Sequence, residues 1–172
     1  MTRGLWENYI RSGKSFTRLR DFDQGERMLK AALKVAEEWG PKDPRLGVTL
    51  SNLARLYQAQ GRFAEAEALY NRALAIAESE HGPDHVDTGV GLSNLAALYS
   101  AQKRFAEAEP LFQRALAIME KAMGRDHPSV ATILTNYATM LRKADRVGEA
   151  EHLEIRVLDM RLKEGEDLPK GE

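Results

Sequence analysis

A stretch of 42 residues recurs along this chain, and that period limits the fold more than any other feature of the sequence. Residues 51–54 (SNLA) recur as 93–96 (SNLA) and again as 135–138 (TNYA), each time 42 positions further on. A more divergent copy, shorter by one residue, occupies about residues 5–40. Because a unit of this length cannot bury its apolar face alone, such a period predicts a solenoid of stacked units.

Each copy contains two stretches in which apolar residues recur every three or four positions, as on one face of an α-helix. In the second copy Leu46, Leu50 and Leu53 belong to the first stretch, and Leu69 and Ala73 to the second. Glycine and proline mark the breaks between copies, at residues 40–41, 82–83 and 124. We therefore predict an all-α protein of four helix-turn-helix repeats and eight helices, at about residues 3–40, 43–82, 85–124 and 127–163.

Residues 1–163 are predicted to form one domain. Glu154 replaces the aromatic Tyr70 and Phe112 of earlier copies. A polar residue at a stacking position is typical of a terminal repeat, so no fifth repeat is expected. Residues 164–172, in which glycine and proline are mixed with charges, are predicted to be a flexible tail.

The repeat resembles the tetratricopeptide repeat, in which large, small and aromatic residues alternate along a helix pair. The second copy carries this pattern at Leu50, Leu53, Ala54, Tyr57, Ala66, Tyr70 and Ala73. The longer period, and the run GRDHP at residues 124–128, are similar to the variant found in kinesin light chains. The resemblance implies a right-handed α-solenoid that holds a peptide or protein partner and is not an enzyme.

Three asparagines, Asn52, Asn94 and Asn136, occupy one equivalent position on the first helix of successive repeats. First helices of such solenoids line the concave surface, so we expect these amides to form a ladder that pairs with the backbone of a bound peptide. The resemblance supports this role, because peptide-binding tetratricopeptide domains use a similar asparagine. The alternative is that the amides join helices to one another through buried hydrogen bonds.

Other side chains are predicted to share that concave face because they lie three or four residues from the ladder. They are Arg11, Lys14, Ser51, Arg55, Gln58, Ser93, Ser100, Arg142 and Lys143. This set is more basic than acidic, which favours an acidic partner segment or a C-terminal carboxylate as the ligand. The alternative is that these charges only solvate a helical surface.

No metal or other cofactor is predicted. His81 and His85 are four residues apart, but Gly82 and Pro83 interrupt the helix between them, so the two imidazoles are not expected to share a face. Three recurrent glutamate pairs are predicted to lie on a solvated face near a helix N-terminus, and two residues of separation do not suit general acid and base catalysis. The pairs are Glu65 with Glu67, Glu107 with Glu109, and Glu149 with Glu151.

Composition and charge limit the classes of partner that we expect for this chain. The 25 Lys and Arg residues balance 26 Asp and Glu residues, so no overall field favours nucleic acid. There is no cysteine, no signal-peptide pattern at the N-terminus and no apolar run of membrane-spanning length, and we expect a cytoplasmic protein that does not bind membranes.

The alternative to peptide binding is self-association through an end of the array or through Trp6 or Trp39, and we expect a monomer or weak homodimer.

Overall fold

The computed structural model of the chain describes residues 2–166, which form eight α-helices and contain no β-strand. The helices are α1 (Thr2–Arg18), α2 (Phe22–Glu38), α3 (Pro44–Ala59), α4 (Phe63–His81), α5 (Val86–Ala101), α6 (Phe105–Met123), α7 (Pro128–Lys143) and α8 (Val147–Glu166). The predicted all-α fold of four helix pairs is confirmed. Helix α8 continues into the segment that we expected to be a tail, and residues 167–172 lie outside the described residues.

The helices pack in chain order, and the packing shows which of them line the inner side of the array. Within each repeat the two helices pack on each other, and each second helix packs on the first helix of the next repeat. The backbones of successive first helices also approach one another, α1 with α3, α3 with α5 and α5 with α7. Within residues 2–166 successive second helices meet only through side chains, as in the Arg72–Glu37 and Arg114–Glu78 ion pairs. The array therefore curves with its first helices on the concave side. No helix in this range is both long and apolar enough to cross a membrane.

Alanines allow the helices to approach closely. Ala54 and Ala66, which face each other within the second repeat, are fully buried, and so are their counterparts Ala96 and Ala108 in the third. Small side chains at a crossing bring helix axes to the short end of the usual range, about 8–10 Å. Larger side chains fill the space between repeats, where the Phe112 ring stacks on Tyr137 at 5.5 Å between ring centres.

Side chains and turn residues define the helix ends. Asp43 begins α3 by accepting a hydrogen bond from the Arg45 backbone N–H at 2.9 Å. At the same position of the next two repeats, His85 Nδ1 accepts from the Asp87 N–H at 3.2 Å and His127 Nδ1 from the Ser129 N–H at 3.1 Å. An imidazole nitrogen thus replaces the more usual carboxylate or hydroxyl oxygen as the N-cap.

One clamp of arginine, glutamate and tyrosine recurs between neighbouring repeats. An arginine before a second helix reaches a glutamate on the preceding second helix, and a tyrosine hydroxyl donates to the same carboxylate. The clamps are Arg62–Glu26–Tyr57, Arg104–Glu67–Tyr99 and Arg146–Glu109–Tyr137, with arginine Nη1 to glutamate Oε2 distances of 2.8, 2.7 and 2.6 Å. The prediction that Glu67 and Glu109 only face solvent is therefore wrong, because the next repeat covers part of each side chain.

The two tryptophans are packed within the chain. Trp6 Nε1 donates to Thr49 Oγ1 at 2.8 Å, and its ring meets the edge of Trp39 at 6.0 Å between ring centres. The Arg45 guanidinium lies 3.5 Å from the centre of the Trp39 ring. These contacts tie α1 and the end of α2 to α3, so the tryptophans serve the junction of the first two repeats.

The turn inside each helix pair places an equivalent residue at positive φ in all four repeats. The residues are Arg20, Gly61, Lys103 and Asp145, with φ of +59°, +76°, +61° and +60°. This left-handed conformation costs a residue with a side chain about 1 kcal/mol, and glycine avoids that cost. Glycine is therefore helpful in this turn but not obligatory, since three of the four repeats carry another residue there.

We expect Lys103→Gly to raise the free energy of unfolding by about 0.5–1 kcal/mol, because it relieves the positive φ and removes only an exposed side chain. The reverse change, Gly61→Lys, should lower it by a similar amount. Urea denaturation of both variants measures the effect. Destabilisation by Lys103→Gly would contradict the argument.

The last clamp predicts sensitivity to acid. The Arg146 guanidinium holds the pKa of Glu109 below its ordinary value of 4.5. A carboxylate with a lowered pKa stabilises the fold above its unfolded pKa, and that stability is lost as pH falls through the folded value. We expect Glu109→Gln to cost about 1 kcal/mol near neutral pH and progressively less below pH 4.5.

Denaturation at several pH values tests this expectation. Glu151 provides the matched control, since it occupies the same repeat position on α8, is exposed, and has no ion pair within the described residues. Glu151→Gln should leave stability nearly unchanged at every pH. A pH-independent loss in Glu109→Gln would show that packing, and not charge, is responsible.

Candidate functional site

A pocket of about 360 Å³ opens on the concave side between α3, α4 and α5. It spans the junction of the second and third repeats, and the predicted residues Ser51, Asn52, Arg55 and Asn94 are part of its wall. The remaining lining residues are Pro44, Gly47, Val48, Tyr70, Ala73, Ile76, Ala77, Glu80, His81, Asp87, Val90 and Gly91. We call this concavity the groove pocket.

The pocket exists because Ala77 is small. One repeat later the equivalent residue is Met119, which is fully buried. Its Sδ lies 3.2 Å from where a Cβ on Gly89 would be, whereas a Cβ on the equivalent Gly47 would meet nothing nearer than the Ala73 carbonyl oxygen at 3.9 Å. In the third repeat Met119, together with Ile118, whose Cγ2 lies 3.1 Å from the same point, fills space that remains open in the second.

The exposed surface of the pocket wall is more apolar than polar, although eight of its 16 lining residues carry polar side chains. Val48 and Val90, equivalent residues on α3 and α5, are 47% and 45% exposed at its rim. Burial raises the pKa of the inner Tyr70 to about 12, so its hydroxyl is neutral and donates to Gln58 Oε1 at 3.3 Å. A concavity whose exposed surface is more apolar than polar suits an apolar side chain of a ligand.

The three asparagines are divided between two concavities. Asn52 and Asn94 line the groove pocket, and Asn136 lines another concavity of about 340 Å³ between α7 and α8. The Asn52 amide donates to the Val48 carbonyl oxygen at 2.8 Å and accepts from Arg55 Nη2 at 2.7 Å, both within its own helix. Among the described side chains, none of the three amides bonds to another helix, so the alternative role of joining helices has no support.

The pocket is not basic overall, contrary to what the predicted residue set indicated. Arg55 is the one arginine or lysine in its wall, and it is accompanied by the carboxylates of Glu80 and Asp87. Lys42 Nζ lies 3.4 Å from the Glu80 carboxylate. Glu80 was missed from the sequence because only the faces of first helices were considered, whereas the end of α4 also reaches the groove. Asp87 was missed because it lies in the first turn of α5, seven residues before Asn94, and only residues three or four from the asparagines were considered.

The other predicted residues lie outside the pocket. Arg11 and Lys14 are exposed on α1, and Lys143 is exposed at the end of α7. Ser93 and Ser100 are 8% and 6% exposed, because α5 is packed between the neighbouring helices. Their predicted exposure on the concave face is therefore wrong.

Arg142, a further predicted residue, is already paired. Its guanidinium makes two hydrogen bonds to the Glu154 carboxylate, at 2.7 and 2.6 Å. Glu154 is the residue that replaces the aromatic ring of earlier repeats, so an ion pair takes the place of a stacking contact. A ligand carboxylate would have to share the Arg142 guanidinium with Glu154.

The histidines are closer together than the sequence argument allowed. The rings of His81 and His85 lie 4.5 Å apart between centres, and His81 Nε2 is 3.4 Å from Asp87 Oδ2. Gly82, at φ +92°, reverses the chain after α4 so that α5 begins beside the end of α4. The interruption of the helix therefore brings the imidazoles together, and our expectation that it separates them is wrong.

Comparison with known proteins identifies the repeat. The tetratricopeptide repeat family matches residues 7–79, 46–121 and 87–163. No curated protein matches the chain. The fold is similar to that of BtubC (BKLC) from P. vanneervenii, with a TM-score of 0.73 at 23% identity over 95% of this chain and 74% of that one.

Two further solved structures share the fold. A putative kinesin light chain with nearly identical TPR-like repeats from Podosopora anserina has a TM-score of 0.74 at 20% identity, over 94% of this chain and 77% of that one. The TPR2B domain in the TPR2B-domain:pHsp70 complex of yeast Sti1 has a TM-score of 0.59 at 20% identity, over 81% of this chain and 98% of that one.

Proposed function

The chain belongs to the tetratricopeptide repeat family, and on that premise we propose that it binds a peptide segment of a partner protein in its concave groove, with one apolar side chain of that segment in the pocket between α3, α4 and α5. The family and fold support a protein-binding module in general. The TPR2B domain of Sti1, which forms a complex with pHsp70, is an example of this fold with a partner.

The observation that carries the proposal is the pocket left by Ala77. Its volume of about 360 Å³ is enough for a leucine, methionine or aromatic side chain. Burying such a side chain contributes about 1.5–3 kcal/mol. The amides of Asn52 and Asn94 stand on two successive first helices beside this space, where they can pair with the backbone of the segment that carries the anchor.

Side chains of opposite charge lie at the two ends of the pocket. Arg55 lies 11 residues after Pro44 on α3, which corresponds to about 16 Å along the helix axis. Glu80 and Asp87 lie toward the Pro44 end, as the Lys42–Glu80 contact and the start of α5 show. We therefore infer a segment with a carboxylate, from a side chain or a C-terminus, on the Arg55 side of its apolar anchor.

Selection from a phage-displayed library of random dodecapeptides provides a direct test, with affinities measured by fluorescence anisotropy. Ala77→Met reproduces the side chain that fills the equivalent space in the third repeat, so it should close the pocket without unfolding the chain. We expect selected peptides to share an apolar residue beside an acidic one. Their binding to Ala77→Met should be weaker by about 10- to 100-fold.

Ala75→Met is the matched control, since Ala75 is exposed on the same helix outside the pocket. This variant should bind as the wild type does. Peptides that bind Ala77→Met and wild type equally well would contradict the proposed anchor pocket.

One observation favours self-association as a second candidate function. Ile155, Leu158 and Leu162 on α8 are 59%, 56% and 58% exposed and lie on one face of the helix. Leu158 is equivalent to Leu74 and Leu116, which are half-buried against the following repeat. We propose as this alternative that two copies pair through their α8 faces, an arrangement with two-fold symmetry. Trp6 and Trp39 do not support a dimer, because they pack on each other.

Multi-angle light scattering over a concentration series tests the alternative. If α8 mediates pairing, the mass should rise toward that of a dimer, and Leu158→Lys should hold it at the monomer value. Leu19→Lys is the control, since Leu19 is 73% exposed in the turn between α1 and α2. A wild-type chain that stays monomeric at high concentration eliminates this candidate.

A further inference from the structure

Two imidazoles and a carboxylate converge at the junction of α4 and α5. One nitrogen from each of His81 and His85 and one oxygen from Asp87 all lie within 4.8 Å of one another. Asp87 Oδ2 is 3.4 Å from His81 Nε2 and 3.5 Å from His85 Nδ1. All three residues are exposed, so an ion from solution reaches them without any rearrangement of the core.

These separations match the dimensions of a tetrahedral metal site. Zinc bonds to nitrogen and oxygen at about 2.0–2.2 Å, which places neighbouring ligand atoms about 3.3–3.6 Å apart at the tetrahedral angle. The two distances to the Asp87 carboxylate already fall in that range. Imidazole donors favour zinc and its transition-metal neighbours over magnesium or calcium.

The preceding junction brings the same three repeat positions together, but with different chemistry. The equivalent residues there are Trp39, Asp43 and Arg45, and the Arg45 guanidinium both stacks on Trp39 and pairs with Asp43. One repeat later the equivalent residues are Met123, His127 and Ser129. Of these three junctions, the one between α4 and α5 carries histidine or carboxylate side chains at all three positions.

We propose that His81, His85 and Asp87 bind a divalent transition-metal ion of the zinc type, with the fourth position left to water. The ion replaces the N-cap, since the His85 Nδ1 lone pair that now accepts from the Asp87 N–H at 3.2 Å becomes available to the metal. Bound there, it links the last turn of α4 to the first turn of α5. Because His81 and Asp87 also line the groove pocket, the ion fixes one wall of that pocket.

The test uses the full chain without an affinity tag, stripped of metal with EDTA. Titration with zinc chloride in a calorimeter should show one site, and the melting temperature should rise with zinc and fall again on adding EDTA. Magnesium chloride should have no effect. The absence of both binding heat and a melting shift with zinc would overturn the proposal.

Variants locate the site. His81→Ala removes one ligand, and His85→Asn removes another while it keeps a good N-cap residue. Each should weaken zinc binding at least about tenfold. His127→Asn makes the same cap exchange at the next junction, where the neighbouring residues are Met123 and Ser129, and it should bind zinc as the wild type does. Zinc binding that survives in both His81→Ala and His85→Asn would place the ion elsewhere and refute the site.

Discussion

The close packing of each helix pair against the next determines how the array curves and therefore the shape of its groove. The alanines at the crossings, such as Ala54 and Ala66, are fully buried, and no larger side chain fits there without moving a helix. Because the same small residues recur in each repeat, neighbouring pairs meet at a repeated geometry. The backbones of first helices then approach one another, second helices meet only through side chains such as Arg72 and Glu37, and the inner surface becomes a groove.

Because the geometry repeats, a position at which one repeat carries a different residue shows what that residue changes in the structure. Ala77 and Met119 occupy the same position, and the difference between them separates an open pocket from a filled one. His81 and Met123 likewise share a position, and only the former stands beside two further ligand-type side chains. In such a chain the residues that all repeats share form the scaffold. The candidate sites arise at positions where one repeat differs from the others.

The sequence predicted the fold well because the period and the helical stripes are local signals that every copy repeats. It also predicted that Asn52 and Asn94 face the groove, which requires only helical spacing, and both residues line the pocket between α3, α4 and α5. It failed where contacts cross between helices. The pairing of Arg142 with Glu154, the burial of Ser93 and the convergence of His81 with His85 all depend on how the chain returns after a turn. The sequence shows alanine at position 77 where the next repeat has methionine at 119. This difference indicates a pocket only once the structure shows that both side chains face the same space.

The central claim is that a partner segment occupies the groove beside Asn52 and Asn94. Two-dimensional amide NMR spectra of the labelled chain, titrated with a peptide selected for binding, test it most directly. We predict that the largest shifts fall on α3 and α5, together with the Ala73–Ala77 part of α4 that lines the pocket. Shifts confined to α8, or to the exposed convex faces of α4 and α6, would contradict it.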